Sequence, residues 1–425
     1  MSIIYSTFTS ITNKISDEFH RSFLFTTIYS ILEFLEDNWV NSYFKRLYPG
    51  ENFLNFLNNN SILKNHLFNP LIVIFLFSIF LLLSINSPSH SLAITLLIGF
   101  VAFFIGSAIL PKYFLNNNEK IVQFKRDDIY SIGFCLLLVS IVFFFISIAS
   151  VGGIPLLRPS IRYLLKPALT MPVFLIIPAT CMIASVYLKD FQDKNITRSQ
   201  ARFRFVVLLV IDCAFLLLLG YRTPLLAAFL IIIIIGFYGN IVSLWEVVIG
   251  AAIGVGAIIG IGYFRSLGEL TITSSTSPIY TLQSRADFTL HVLNLLDFIA
   301  GNFGVTHGHL LASAIPGSDL GPRMMVGKLI AWRTEVTVTP TLIGQMVADF
   351  GKVGVAFGMC LLGFILGIGF KIMKTTQNYF YIGIYSLILT YTILGIETGI
   401  LDIQVLLYFA IAIFIYLICI VKSRN

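Results

Sequence analysis

Ten apolar runs, each close to the length of a bilayer crossing, constrain this chain more than any other feature. They lie at roughly residues 70–87, 90–110, 129–149, 170–188, 204–220, 223–239, 246–263, 352–371, 379–396 and 403–421. A hydrocarbon core of ~30 Å needs about 20 helical residues, with a lower limit near 17. The predicted fold is therefore an all-α polytopic membrane protein with about ten transmembrane helices. Composition agrees, with 57% hydrophobic and 12% charged residues and a mean hydropathy of +0.89, where soluble proteins carry about 25% charged residues.

Charge gives the orientation. The 111–128 link holds Lys112, Lys120, Lys125 and Arg126, and the 189–204 link holds Lys189, Lys194, Arg198, Arg202 and Arg204. Lys371 and Lys374 follow in the 371–378 link, and Lys422 and Arg424 in the tail. With ten spans all four segments fall on one side, so the positive-inside bias makes both termini cytoplasmic. These anchoring charges account for most of the net charge of +7 and the pI near 9.1, and nucleic acid is not an expected partner. The five cysteines all lie in apolar segments and read as buried small hydrophobes. The first 20 residues are polar, which predicts no cleaved signal peptide.

Four regions follow. Residues 1–69 include the amphipathic stretch FLFTTIYSILEFLEDNW (23–39), too short to span and read as cytoplasmic or interfacial helix. Residues 70–263 form a seven-helix membrane region, 264–345 one large outer loop domain, and 346–425 a three-helix region with a short cytoplasmic tail. A loop of that length is expected to carry function.

The outer face holds cations that the charge bias would exclude. Residues 151–169 carry Arg158, Arg162 and Lys166 without an acid; Arg222 sits in the turn GYRTP; Arg265, Arg285, Arg323, Lys328 and Arg333 follow in the large loop. The run 205–238 around Arg222 would extend roughly 50 Å as one helix, so Gly220 and Pro224 are read as breaking it into two spans, with Arg222 at the membrane–water boundary. The competing readings are a different span topology, headgroup snorkelling, and convergence on an anionic ligand, which the set as a whole favours because guanidinium grips phosphate oxygens bidentately.

Two further stretches carry polar chemistry. THGHLLASAIPG (306–317) places His307 and His309 in the outer loop, as proton acceptors or as hydrogen-bonded structural residues. The H-x-H spacing lacks further ligands, so no metal is expected. WRTEVTVTPTLIGQMVADFGKVGVAFG (332–358) combines Arg333, Thr337, Thr339 and Asp349 ahead of a span, with Asp349 read equally as a structural residue, capping or pairing near the helix start, or as a functional one. Glu397 and Asp402 flank the last outer turn, where pairing with an outer arginine is the default expectation. No P-loop, GxGxxG or HExxH motif is present, which argues against ATP-driven transport and cytosolic sugar-nucleotide transfer.

GGIPLL (152–157), GYRTP (220–224), YFRS (263–266), HGHLLASAIPG (307–317) and RTEVTVTPTLIGQMVADFGKVG (333–354) together resemble the oligosaccharide repeat-unit polymerases, or O-antigen polymerases, a family that includes archaeal members. As topology the resemblance covers about residues 70–420; residues 1–69 lie outside it. It implies a metal-independent glycosyltransferase of GT-C-like fold in the plasma membrane, active on the extracytoplasmic face in cell-envelope polysaccharide biosynthesis. No cofactor is implied, and a polyprenyl-diphosphate-linked oligosaccharide is the substrate. In that role Arg222 and Arg265 bind diphosphate, with Arg158, Arg162, Arg323 and Arg333 as further candidates. His307 or His309 serves the acceptor hydroxyl, a role borrowed from the related O-antigen ligases, and Thr337, Thr339 and Asp349 position sugar or the Arg333 segment. A flippase or chain-length regulator is implied as partner, beside membrane lipid. A ligase for lipid-linked glycan and a flippase or small-solute transporter are the alternatives; midplane polar groups typical of the latter are limited here mainly to Asp212.

Overall fold

A computed structural model of the chain describes residues 66–114, 124–157, 161, 164–269, 278–315, 318, 320–331, 337–400 and 402–424. The amphipathic region expected at 1–69 lies, apart from residues 66–69, outside them. Among the described residues every regular element is helical. The first seven apolar runs are α1 (Ile72–Leu82), α2 (His90–Phe114), α3 (Arg126–Val151), α4 (Pro167–Gln192), α5 (Arg198–Leu218), α6 (Arg222–Tyr238) and α7 (Leu244–Glu269). Three intervening helices follow, α8 (Pro278–Ala300), the single-turn α9 (His309–Ala312) and α10 (Pro322–Ala331). The last three runs are α11 (Thr341–Thr376), α12 (Tyr379–Thr398) and α13 (Ile403–Arg424).

Among the described residues, α2, α3, α4, α11 and α12 are long and apolar enough to cross a membrane by length and composition, and α1, α6 and the apolar parts of α7 and α13 are shorter. The chain is a helical membrane protein. Several helices outrun their apolar segments: α7, for one, continues to Glu269, while α11 gains a helical segment from Thr341 ahead of a break at Gly351. Backbone hydrogen bonding continues wherever φ and ψ permit, so a hydropathy boundary does not mark a helix end.

Long-range contacts sort the connections into two ends. At the basic end Arg126 grips the buried Asp190 with Nε (2.6 Å) and Nη2 (2.9 Å), and Arg202 reaches Glu246 at 2.9 Å. Arg198 and Arg202 both donate to the Ile241 carbonyl, closing the α6–α7 turn. A capping box starts α5: Thr197 accepts from the Gln200 amide while the Gln200 side chain accepts from the Thr197 amide. At the opposite end the Leu156 amide donates to the Leu218 carbonyl, and α8 meets the α1–α2 turn.

α4 and α12 are the most enclosed spans. The in-span acid Asp212 of α5 is fully buried, and its carboxylate oxygens lie 2.9 and 2.8 Å from the Thr180 hydroxyl of α4. The side chain that stood out in the sequence as the main intramembrane acid therefore bridges two core helices.

α2 and α11 run in the same direction in close contact, Gly99 lying beside Val355 and Gly363 beside Phe103. Close approach is strictest at Gly106, in a widened turn of α2 (Ile105–Ile109), where a Cβ would overlap the Cys360 carbonyl oxygen. Gly106→Leu must push the two helices apart. We expect thermal unfolding in detergent to report a loss of roughly 1–3 kcal/mol, while Gly256→Leu on α7, with open space around it, leaves the midpoint near wild type.

Candidate functional site

α11 is not one continuous helix. At Gly351 the backbone turns to φ 61°, ψ −147°, a conformation suited to glycine, and the helix resumes beyond it. The break releases carbonyls of the preceding turn from their intrahelical partners, and the segment after α8 takes them up. Val305 and Thr306 donate to the Ala348 carbonyl (2.9 and 3.1 Å), and His307 donates to the Asp349 carbonyl at 3.0 Å. The two backbones cross so closely that a Cβ at Gly304 (φ 81°) would overlap the Asp349 carbonyl, and one at Gly351 would overlap Asn302.

Asp349 fixes this crossing. Its Oδ1 accepts from the Thr306 hydroxyl (2.6 Å) and the amides of Gly308 (3.0 Å) and Leu310 (2.9 Å); its Oδ2 accepts from Leu311 at 2.8 Å. The carboxylate is 2% exposed. Two of the donors, Leu310 and Leu311, belong to the first turn of α9, whose amides have no partner within the helix. Asp349 thus serves as a cap, delivered from a different helix.

His307 and His309 ride on the loop so held. His307 adopts φ 46° ahead of Gly308 at φ 91°, and both imidazoles are exposed. His309 lines an open cleft of about 440 Å³ with Ala312, Ser313, Ile315, Ser318 and Met325. Two candidate proton acceptors and a side chain that immobilises their backbone therefore form one unit.

Three arginines of the same end are engaged with acids. Arg222, at the first position of α6, places Nη2 3.1 Å from Glu397 Oε1, and its side chain is 17% exposed. Arg285 of α8 pairs through Nε with the same carboxylate oxygen. Arg323 of α10 reaches Asp402 at 2.8 Å, and its Nε is buried without a hydrogen-bond partner among the described residues. Its carbonyl accepts from the Val338 amide at 3.0 Å, which brings in the segment carrying the exposed Thr337 and the half-buried Thr339. The pairing expected of Glu397 and Asp402 with arginines is present. Both links join sequence-distant elements, α6 and α8 to α12, and α10 to the start of α13.

Four expected site residues are not positioned by these contacts. Arg158, Arg162 and Arg333 lie outside the described residues, and Arg265 lies on α7 with its side chain outside the described part.

Sequence reasoning missed the polar face of α8. Asp287 accepts from the Ser84 hydroxyl and from the Ile85 and Asn86 amides; Asn294 accepts from the Ser89 amide; buried Asp297 accepts from the Thr95 hydroxyl at 2.6 Å. Positions 287, 294 and 297 share one helical face, a periodic signal available in the sequence. The Ser84 hydroxyl, then the Asn86 amide, hold the Asp287 carboxyl below the usual carboxylate range. Since the folded value is depressed, this tether is complete above the ordinary aspartate pKa and is lost as pH falls through the folded value.

Comparison with known proteins places residues 66–409 in the family described as "Putative O-antigen polymerase". Two uncharacterised proteins of Methanocaldococcus jannaschii are similar. One is 27% identical over 376 residues, 87% of this chain and 98% of the relative. The other is 26% identical over 336 residues, 78% of this chain and 75% of the relative. No solved structure matches.

Removing the Asp349 carboxylate should open the loop. In Asp349→Ala we expect hydrogen exchange at the Gly308, Leu310 and Leu311 amides to accelerate at least about tenfold, equivalent to ~1.4 kcal/mol. Unchanged protection would show that the carboxylate does not hold the loop.

Proposed function

The chain belongs to the O-antigen polymerase family, and from that premise we propose that it polymerises polyprenyl-diphosphate-linked oligosaccharide repeat units at the extracytoplasmic face of the plasma membrane. The observation that carries the proposal is the joint one: the family match over residues 66–409, and, at one end of the bundle, two exposed histidines on a clamped loop and arginines paired with half-buried acids. The ten-span topology, both termini cytoplasmic and the basic end facing the cytoplasm, forms part of the same reading.

The chemistry asked of the site is substitution at a glycosyl carbon. The bond from the donor sugar to its diphosphate oxygen breaks, a hydroxyl of the acceptor unit forms the new glycosidic bond, and the hydroxyl proton passes to a base. His307 or His309 is the group we assign to that proton. Charge develops on the departing diphosphate, where preorganised guanidinium groups stabilise it most. Arg222 and Arg265 are assigned to it, with Arg158, Arg162, Arg323 and Arg333 as further members of the set. Glu397 holds the Arg222 and Arg285 side chains before substrate arrives, which lowers the entropic cost of gripping an anion. Asp349 is a positioning residue acting through the histidine loop, and Thr337 and Thr339 are assigned to sugar contacts. The reading needs no metal or cofactor.

Purified protein in vesicles with one defined lipid-linked repeat unit tests the proposal. A ladder of products is expected. A single transfer to another acceptor would instead identify a ligase, and movement of the lipid-linked unit across the bilayer without bond formation would identify a transporter.

Arg222→Lys keeps the charge but loses the planar fork. We expect it to slow extension about tenfold and shorten the ladder; a wild-type ladder would remove Arg222 from the diphosphate site.

A further inference from the structure

The histidine loop carries a set of exposed apolar side chains that its clamp does not explain. Phe298 is 84% exposed, Phe303 73% and Ile315 61%, with Val305 and Leu311 also on the surface. A rigid loop in water would gain nothing by presenting this many large apolar groups around two histidines, and such a patch marks a surface that meets an apolar partner.

Depth within the bundle identifies the partner. Along the parallel α2–α11 pair, Gly99 lies beside Val355 and Gly106 beside Cys360 and Phe364. Following the pair back as far as the break brings Gly351 level with about residue 95 of α2, and Asp349 and Phe350, with the loop clasped to them, lie directly ahead of that break. A second contact gives the same level independently: Asp297, one residue before Phe298, bonds Thr95. Thr95 is five residues beyond the start of α2, ~8 Å along the helix at 1.5 Å per residue. The loop thus lies below the end of a helix that is itself long and apolar enough to cross a membrane.

The apolar surface is also continuous with a lipid-facing one. Phe350, just ahead of the break, heads an exposed stripe in which Val353, Phe357, Leu361 and Ile365 follow along α11 at helical spacing, and Ile94 and Leu97 are exposed on α2 at the level of the loop. A Cβ on Gly308 would lie 3.3 Å from the Phe350 ring, so the histidine loop rests on the first residue of that stripe.

We propose that residues 298–315 form a wedge seated in the membrane interface, with bilayer lipid as partner: Phe298, Phe303 and Ile315 enter the headgroup–acyl boundary and hold His307 and His309 at headgroup depth. This is the depth of ~5–10 Å that amphipathic interfacial segments take. The outer loop is then a lip over which a lipid-anchored molecule diffuses laterally to the histidines without leaving the bilayer, a consequence that rests on the function proposed above.

The test places the probe in the lip. In the full chain, with Trp39, Trp245 and Trp332 replaced by phenylalanine, Phe303→Trp and separately Phe298→Trp are reconstituted in phosphatidylcholine vesicles. Bromine is carried on the acyl chain either near the headgroup or near the chain end. Quenching at least about twofold stronger from bromine near the headgroup, with shielding from aqueous iodide, is expected at both positions. Iodide quenching without a bromolipid effect, or strongest quenching from bromine near the chain end, would overturn the proposal. The second position keeps the test open if one variant does not fold. No glycan is present, so this result and the product ladder can fail independently.

Discussion

Four hydrogen bonds converge on one buried carboxylate, and the geometry of the candidate site depends on them. Asp349 accepts from a hydroxyl and three amides of a segment about forty residues away in sequence. Acceptance of that many donors offsets the cost of burying a carboxylate. The break at Gly351 makes the arrangement possible, because it exposes the carbonyls of Ala348 and Asp349 to the same loop. The side chain and the main chain of α11 thus fix the backbone of the histidine loop together, His307 included.

The arginines of this end are held on a similar principle. Glu397 joins Arg222 and Arg285, and Asp402 takes Arg323. At half-buried positions such pairs add little net stability, since desolvation cancels much of the attraction. Their value is orientation: long side chains are ordered before an anion arrives. A site assembled this way suits the proposed chemistry, in which the leaving group carries the charge and the nucleophile is a neutral hydroxyl.

Much of this was legible in the sequence. All ten apolar runs occur as helices, because hydropathy directly reports a surface that must avoid water. Arg222 was legible as a helix-start residue from Gly220 and Pro224, and Glu397 and Asp402 as partners for arginines of the same end, since acids beside that turn have few alternatives. For Asp349 the sequence allows a structural role, capping or pairing near its own helix start, and a functional one equally. In the structure it caps a helix from another part of the chain, and local spacing cannot report a cap whose donors lie at 306–311. The packing of α8 was missed for a related reason. Its polar face is periodic, but its partners Ser84, Asn86, Ser89 and Thr95 are distant in sequence. The exposed phenylalanines of the histidine loop were visible as residues, but their common depth follows only from the α2–α11 register.

In the proposed transfer Asp349 positions the histidines. Asp349→Asn is nearly isosteric, yet it replaces one acceptor oxygen with a donor and so cannot satisfy all four bonds. The most direct measurement is the product ladder that this variant makes from a defined lipid-linked repeat unit, at matched amounts of protein in vesicles. The account predicts extension at least about tenfold slower than wild type. A ladder of wild-type length and rate would contradict it.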